Sequence, residues 1–276
     1  MRTAVVGHVE WVEFATVEHV PAPGEIVRAG RTWPEPAGGG AVAAVQLARL
    51  AGDCTLYTAF GDDEIGVLAR EGLERLGLRV CHVTREGEPT RRAFTFVDSA
   101  GERTITVIGE RLQAHRSDPL PWDELASMDA VYFTAGDAGA LRAARAARVL
   151  VATARVMDEI EEAAVPLDAV VGSGKDPSER YRAIDPPPRF VVTTAGAAGG
   201  AWQGSEGRTG HWAASPVPAE VGDAYGCGDS FAGGLTYGLA AHDGDVRAAL
   251  ELAARCGAAC LTGHGAYERQ LNAAAL

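Results

Sequence analysis

Short apolar runs rich in β-branched residues alternate along the chain with Ala-, Leu- and Arg-rich stretches whose apolar positions recur at helical spacing. TAVVG from Thr3 predicts a buried strand, and GAVAAVQLARLAG from Gly40 a helix. CTLYTAFG from Cys54 predicts a second strand, followed by EIGVLAREGLERLG from Glu64 as a second helix. AVYFTAG, RVLVATAR, LDAVVGSG and FVVTTAG then recur, each a short apolar run that stops at small or turn-forming residues. This alternation predicts an α/β fold, a mainly parallel central sheet covered by helices on both faces. Sheets of this kind bind ligands beyond the carboxyl ends of their strands.

Two stretches break the rhythm. Between Trp11 and Val27, WVEFATVEHVPAPGEIV alternates and carries Pro21 and Pro23, which predicts strand–turn–strand with half-exposed strands. RRAFTFVDSAGERTITVI, from Arg91 to Ile108, alternates with period two around DSAGE, a hairpin pattern. Together they predict a small β-layer projecting from the main sheet, its strands inserted at about 9–34 and 90–110 of a single domain spanning 1–276. Such a layer serves either as a flap over a substrate or as a dimer contact. No internal repeat or low-complexity linker appears.

The composition narrows the picture. With 276 residues, 47% of them apolar, the chain can bury the core of a large α/β domain. A formal net charge of −12 argues against a sequence-independent grip on nucleic-acid phosphates. Five cysteines without a CxxC spacing fit a reducing cytosol better than a disulfide framework. Cys256 and Cys260, four apart, share a helical face and read as buried small residues. The first apolar run is too short for a signal peptide and nothing later approaches a membrane span, so a cytoplasmic protein without a membrane partner is expected.

Four familiar nucleotide or hydrolase signatures are missing or incomplete. Lys175 is the only lysine, and Asp176 stands after it where a P-loop needs Ser or Thr, which excludes a Walker-type NTPase. Gly38 to Ala43 fits G-x-G-x-x-A, but the preceding RTWPEPA reads as non-strand, against a dinucleotide fold. Neither HExxH nor GxSxG occurs.

The chemistry concentrates in VGDAYGCGDSFAGG, Val221 to Gly234. Phe231, Leu235 and Leu239 recur every four residues, and Gly233, Gly234 and Gly238 leave room for close packing, so a buried helix begins near Cys227 to Asp229. Gly226 and Gly228 permit a tight turn and present bare N–H groups at that helix start, where unsatisfied donors and the helix dipole attract an anion. Asp229 puts a carboxylate beside that anion site, and the dipole is expected to hold it ionised. This suits phosphoryl transfer, which needs positioning and charge stabilisation more than deprotonation. An N-cap aspartate after a glycine turn is the bland alternative.

GDAYGCGDSFAGG resembles the C-terminal signature of the ribokinase-like (PfkB) carbohydrate kinases, D-T-x-G-A-G-D-x-F. PAGGGAVAAVQLARLAG from Pro36 is similar to the family's Gly-Gly helix, and AFGDDEIGVLAREGLERLGL from Ala59 to its G-D-D-x-x-G stretch. DSAGERTITV from Asp98 resembles the lid hairpin, and VTTAGAAGG from Val192 the T-x-G-x-x-G nucleotide segment. These segments, in order, cover most of the chain. The resemblance implies a three-layer α/β/α sandwich with a small β-sheet lid and an ATP- and Mg²⁺-dependent kinase for a hydroxymethyl group of a small sugar.

Roles follow by resemblance, residue by residue. Asp229 would accept the substrate hydroxyl proton, with the N–H groups of Gly226, Cys227 and Gly228 holding the γ-phosphate. Thr194, Gly196 and Gly199 would border the ATP phosphates and ribose, and Gly263 and His264 the adenine; a solvent-facing loop is the other reading of His264. Asp176 and Glu179 stand in for an N-x-x-E that positions Mg²⁺ through water, with Asp replacing Asn. Asp223 matches a position near a monovalent-cation loop, which would take K⁺, or is a turn aspartate. Asp62 and Asp63 read as turn-shaping.

The departures lie on the substrate side. The family's sugar-binding aspartate falls at Val12, flanked by Glu10 and Glu13, either of which can accept paired hydroxyls. Its Gly-Gly asparagine falls at Val42, while Gly38, Gly39 and Gly40 are retained for close approach of substrate. The apolar replacements leave a nucleoside acceptor open, with Trp11 and Trp33 as stacking candidates. A sugar- or nucleotide-binding protein without turnover is the rival from another class. The resemblance and the exposed edge of the lid imply a homodimer.

Overall fold

The run Thr3–Val6 is buried on both faces, as a central strand of a parallel sheet must be. The computed structural model describes residues 1–275. In chain order, β1 (Thr3–Val6), β2 (Glu10–Thr16), β3 (Thr32–Ala37) and α1 (Gly39–Ala51) come first. β4 (Cys54–Gly61), α2 (Glu64–Arg75), β5 (Arg79–Arg85), β6 (Arg92–Val97) and β7 (Arg103–Ile108) follow. Then come β8 (Ala130–Phe133), α3 (Ala138–Ala144), β9 (Val149–Thr153), α4 (Met157–Ala163) and β10 (Ala169–Ser173). β11 (Phe190–Thr194), β12 (Gly200–Gly204), β13 (Thr209–Trp212), α5 (Cys227–Ala241) and α6 (Val246–Cys260) complete the set.

Nine strands form the larger sheet in the order β13-β12-β11-β10-β9-β8-β1-β4-β5. From β11 to β5 all pairs are parallel, and only β12 and β13 run antiparallel. Side-chain alternation splits the core into two layers. Val5, Leu56, Tyr132 and Val151 face α1, α5 and α6, whereas Val6, Tyr57, Val131 and Leu150 face α3 and α4. The three-layer expectation therefore holds.

The glycines of α5 do what their spacing suggests. A Cβ at Gly233 would lie 3.0 Å from the Ala43 carbonyl of α1, and one at Gly238 would lie 2.7 Å from Ala249 Cα of α6. Both helices thus approach α5 closely enough that side chains at these positions would push them apart. Cys256 and Cys260 are buried, and all five cysteines are free thiols.

A second sheet has the order β3-β2-β6-β7. Its hairpin β6–β7 is antiparallel around the predicted turn, while β2 and β6 are parallel. The partner strand of β2 lies at Thr32–Ala37, not within Trp11–Val27, so RTWPEPA is a strand after all. It is an edge strand of the small sheet, which tolerates the missing N–H groups of Pro34 and Pro36. The dinucleotide reading still fails, because β3 pairs antiparallel outside the parallel sheet. At the opposite edge, β7 is open and exposes Ile105, Val107 and Ile108. No helix among the described residues is long and apolar enough to cross a membrane.

Candidate active site

Helix α5 starts from Gly226, whose φ of 74° places it in the left-handed region that glycine favours. No side chain caps this helix. Ser230 N–H is the first to find an intrahelical acceptor, the Gly226 carbonyl at 2.8 Å, while among the described residues the N–H groups of Cys227, Gly228 and Asp229 have none. Gly228 faces open space: a Cβ built there meets nothing within 4 Å. Three free donors with the positive helix end behind them form a ready cradle for an anion.

Asp229 is densely surrounded by protein yet keeps access to this cleft. Burial pushes its carboxyl above the ordinary aspartate range; Arg103, His8 and Arg155 pull it back and Glu179 adds to the rise. Desolvation thus outweighs the dipole, contrary to the expectation that Asp229 is held firmly ionised. The result is a carboxylate more willing to take a proton.

The Gly-Gly segment brings the rest of the floor. A Cβ at Gly39 would lie 3.0 Å from Asp229 Oδ1, 3.2 Å from Thr134 Oγ1 and 3.5 Å from His8 Cε1. Gly40 packs on the His8 carbonyl, where a Cβ would come within 2.6 Å, and Gly38, at φ 88°, lies against Glu10. β1, β8 and the N-terminus of α1 therefore meet at Asp229. His8 Nε2 contacts Glu10 Oε1 at 3.2 Å, and its buried Nδ1 has no partner. Burial opposes ionisation of Glu10, but the His8 contact and the charges of His8, Arg91 and Arg111 outweigh it and hold the carboxyl below the usual glutamate range.

Glu10 and Glu13 go separate ways because strand alternation puts them on opposite faces. Glu10 lines the cleft, whereas Glu13 pairs with the exposed Arg92 at 2.5 Å. Val12 is fully buried. Trp33 packs against Phe14, stacked at 4.9 Å, and the exposed Arg31 guanidinium lies over its ring at 4.7 Å.

The small sheet docks on the loop that precedes α5. Ala224 N–H donates to the Gly101 carbonyl at 3.2 Å, and Arg103 donates to the Ala224 carbonyl. Asp223, fully buried, accepts from Tyr225 N–H and Gly265 N–H, both at 2.8 Å, and so ties this loop to the segment after α6. Both of its oxygens are engaged, the geometry of a turn aspartate. Asp63 likewise shapes a turn, capping α2 through Gly66 N–H and holding Thr90.

Glu35 of β3 accepts from Ala266 N–H at 2.7 Å and is pushed up to about 7, by burial first and by the charge of Asp223. Its raised value means the protonated form favours folding: that stability is complete below the ordinary value of 4.5 and is lost as pH rises through about 7. Glu35→Gln, which keeps the acceptor oxygen, is therefore expected to match wild-type melting at acid pH and exceed it at pH 8. Thermal melts from pH 5 to 8 check this, and a parallel pH slope in both proteins would contradict it.

Beyond the carboxyl ends of β9 and β10, Arg155 binds Glu179 at 2.5 Å and Asp176 at 2.8 Å. Glu179 also accepts from Ser173 N–H, and Asp176 from Ser178 N–H and Oγ, so every carboxylate oxygen already has a protein donor. Arg155 competes with direct coordination of Mg²⁺ at one oxygen of each carboxylate. A water-bridged ion needs only a spare lone pair, which carboxylate oxygens keep, and Mg²⁺ retains waters readily. The pair fits an outer-shell ion, with Glu179 the one electrostatically coupled to Asp229.

Thr194 ends β11, and the turn beyond it has positive φ at Gly196 and Gly199, 62° and 79°. A Cβ at Gly196 would lie 3.3 Å from Lys175 Nζ, so the only lysine of the chain reaches this turn. Gly263 lies instead against the Asp223 loop, and the exposed His264 sits edge-on to Trp33 at 6.4 Å. Neither is hydrogen-bonded to the Thr194–Gly199 turn among the described residues. Sequence reasoning missed His8, Thr134, Arg103, Arg155, Lys175 and Glu35 as members of the site. Position gave a signal for three of them, since His8, Thr134 and Arg155 follow directly on strands of the parallel sheet.

Known proteins were compared with this arrangement. Residues 2–273 match the family model described as pfkB family carbohydrate kinase. The ATP-dependent ribose-1-phosphate kinase of Halopiger xanaduensis is 30% identical over 94% of this chain and 91% of that one. Ribokinase from Arabidopsis thaliana, solved with ribose and ATP, superposes with a TM-score of 0.75 at 18% identity, covering 99% of this chain and 96% of that one. Adenosine kinase from Sinorhizobium meliloti superposes with a TM-score of 0.77 at 17% identity, covering 99% and 97%. The fold alone therefore does not separate sugar from nucleoside acceptors.

Proposed function

Because this chain belongs to the pfkB family of carbohydrate kinases, we propose that it transfers the γ-phosphoryl group of ATP to a hydroxymethyl oxygen of a small sugar. The observation that carries the reading is the row of free N–H donors at Cys227–Asp229 beside a carboxylate raised by burial. A kinase named for ribose 1-phosphate among its relatives supports a monosaccharide acceptor.

Each residue then has a chemical task. Asp229 takes the hydroxyl proton as the acceptor oxygen bonds to the γ-phosphorus and the bond to the β-phosphate oxygen breaks. The α5 amides hold the charge that spreads over the transferred group. Gly38 and Gly39 let the acceptor approach the backbone, and Glu10 accepts from its other hydroxyls. Arg103 and Arg155 supply positive charge near the reacting centre. Mg²⁺, held through water by Glu179 and Asp176, would neutralise the ATP phosphates. The small sheet, docked on the Ala224 loop, serves as a lid that excludes water. Five free thiols support a reducing, cytosolic setting.

Acceptor-dependent release of ADP from ATP and Mg²⁺ tests the reading, and ATP binding without turnover of any acceptor would replace it with a binding protein. The packing of Phe14 and Arg31 against Trp33 favours a sugar over a nucleoside. Lys175, beside Gly196, is the cation for the ATP phosphates. Lys175→Ala is expected to raise the KM for ATP about tenfold, the loss of one charge-assisted contact, with a smaller change in acceptor KM. An unchanged ATP KM would remove Lys175 from the site.

A further inference from the structure

His8 stands where the chain leaves the large sheet for the small one. β1 ends at Val6 and β2 begins at Glu10, so residues 7–9 carry the chain across. The crossing is pinned to the body of the molecule. Gly7 N–H donates to the Tyr57 carbonyl at 3.0 Å, and a Cβ on Gly40 would come within 2.6 Å of the His8 carbonyl. The imidazole leans over the Gly-Gly segment. A Cβ on Gly38 would lie 3.3 Å from its Cδ2 and 3.1 Å from Glu10 Cγ. One on Gly39 would lie 3.5 Å from its Cε1 and 3.0 Å from Asp229 Oδ1. A single ring therefore adjoins both Glu10, carried by the small sheet, and the surroundings of Asp229, at the start of α5.

Only one placement of the ring's hydrogen suits these surroundings. Nε2 lies 3.2 Å from Glu10 Oε1, and an ionised carboxylate can only accept, so Nε2–H is the donor. The buried Nδ1, which has no partner, is then the bare acceptor. A hydrogen on Nδ1 would instead bury an unpaired donor and turn a lone pair toward the carboxylate. The two side chains are only 11% and 12% exposed, so water does not readily replace the bond. Arg91 faces the other oxygen, its Nε 3.8 Å from Oε2. Glu10 is thus held from both sides, and each oxygen keeps a lone pair for a hydroxyl. An orphaned Nδ1 is a cost to the fold, which packing alone does not explain.

Resting on the kinase reading, we propose that His8 is a positioning residue: through its hydrogen bond to Glu10 it sets where the acceptor's hydroxyls are read relative to Asp229. Glu10 rides on the small sheet and Asp229 on the large body, so without His8 their spacing would follow any movement of the small sheet. With it, the carboxylate that reads the sugar and the carboxylate that takes the proton are referred to one fixed ring. Misplacement of a bound acceptor by a fraction of an ångström is enough to lose much of its productive binding.

Kinetics and NMR test this together. The kinetic probe is whichever of D-ribose, ribose 1-phosphate, D-fructose and adenosine the wild type phosphorylates best. His8→Ala is expected to raise the KM of that acceptor about tenfold, the scale of one hydrogen bond to a charged group, with much smaller changes in kcat and in the KM for ATP. His8→Gln, whose amide nitrogen reaches the Nε2 position, should recover most of the loss. In a Glu10→Ala background His8→Ala should add almost nothing, as befits a residue that acts through Glu10. ¹⁵N NMR of the wild-type imidazole without acceptor is expected to place the hydrogen on Nε2, a readout that stands even if His8→Ala fails to fold. A hydrogen on Nδ1, full additivity of the two Ala variants, or a KM rise shared equally by ATP and acceptor overturns the proposal and leaves the kinase standing. So does a Gln variant no better than Ala. No turnover of any of the four probes removes both readings together.

Discussion

Asp229→Asn is expected to lower kcat by about 10²–10⁴-fold, the usual worth of a positioned general base. The amide keeps the shape of the side chain, so the contacts with Gly39 and α5 survive and substrate KM should change little. The same substitution carries a stability signature that a merely structural aspartate would not give. Burial raises the Asp229 carboxyl, so its ionised form opposes folding at neutral pH. The folded-state advantage of the protonated form is complete below the ordinary aspartate range and is lost as pH rises through the raised value. Asp229→Asn should therefore melt higher than wild type at pH 8, with the difference vanishing in acid. In wild type, the acid limb of kcat/KM should fall above the ordinary aspartate range near pH 4 and be absent from the residual activity of the variant. A variant that loses both stability and activity would instead mark Asp229 as a cap for α5.

The second large effect separates two glycines only two positions apart. Gly228→Ala should leave the melting temperature almost unchanged, because its φ is not positive and an added Cβ meets open space. On the proposed mechanism that open space takes the transferred phosphoryl group, so kcat should drop by about 10²–10³-fold, the loss seen when one charge-stabilising donor is blocked. Gly226→Ala should behave in the opposite way. Its φ of 74° and the Val42 methyl 3.0 Å from a built Cβ make the substitution destabilising by roughly 1–2 kcal/mol. Melting curves and initial rates on the two variants check the pair. Equal destabilisation by both, or full activity in Gly228→Ala, would show that the helix start is shaped for packing alone.

The parallel sheet and its helices were legible because strands buried on both faces read as unbroken apolar runs, as in Thr3–Val6 and Ala130–Phe133. The start of α5 was legible too, since bare glycines before a four-residue apolar repeat have few other uses. RTWPEPA misled for a physical reason. Two prolines argue against a strand in general, yet an edge strand needs only one side of its backbone, and β3 is such an edge. The choice between Glu10 and Glu13 required the register of β2, which no local pattern near Gly7 supplies. The direction of the Asp229 shift was hidden because burial depends on distant chain: β8, α1 and the small sheet all close around it.

The most direct test of phosphoryl transfer at Asp229 is ³¹P NMR of the product formed from ATP, Mg²⁺ and an acceptor by wild type and by Asp229→Asn in parallel. The account predicts a new phosphate monoester coupled to two methylene protons, with stoichiometric ADP, in the wild-type sample and almost none in the variant. A product phosphorylated elsewhere than on the hydroxymethyl oxygen, or one formed equally fast by the variant, would contradict it.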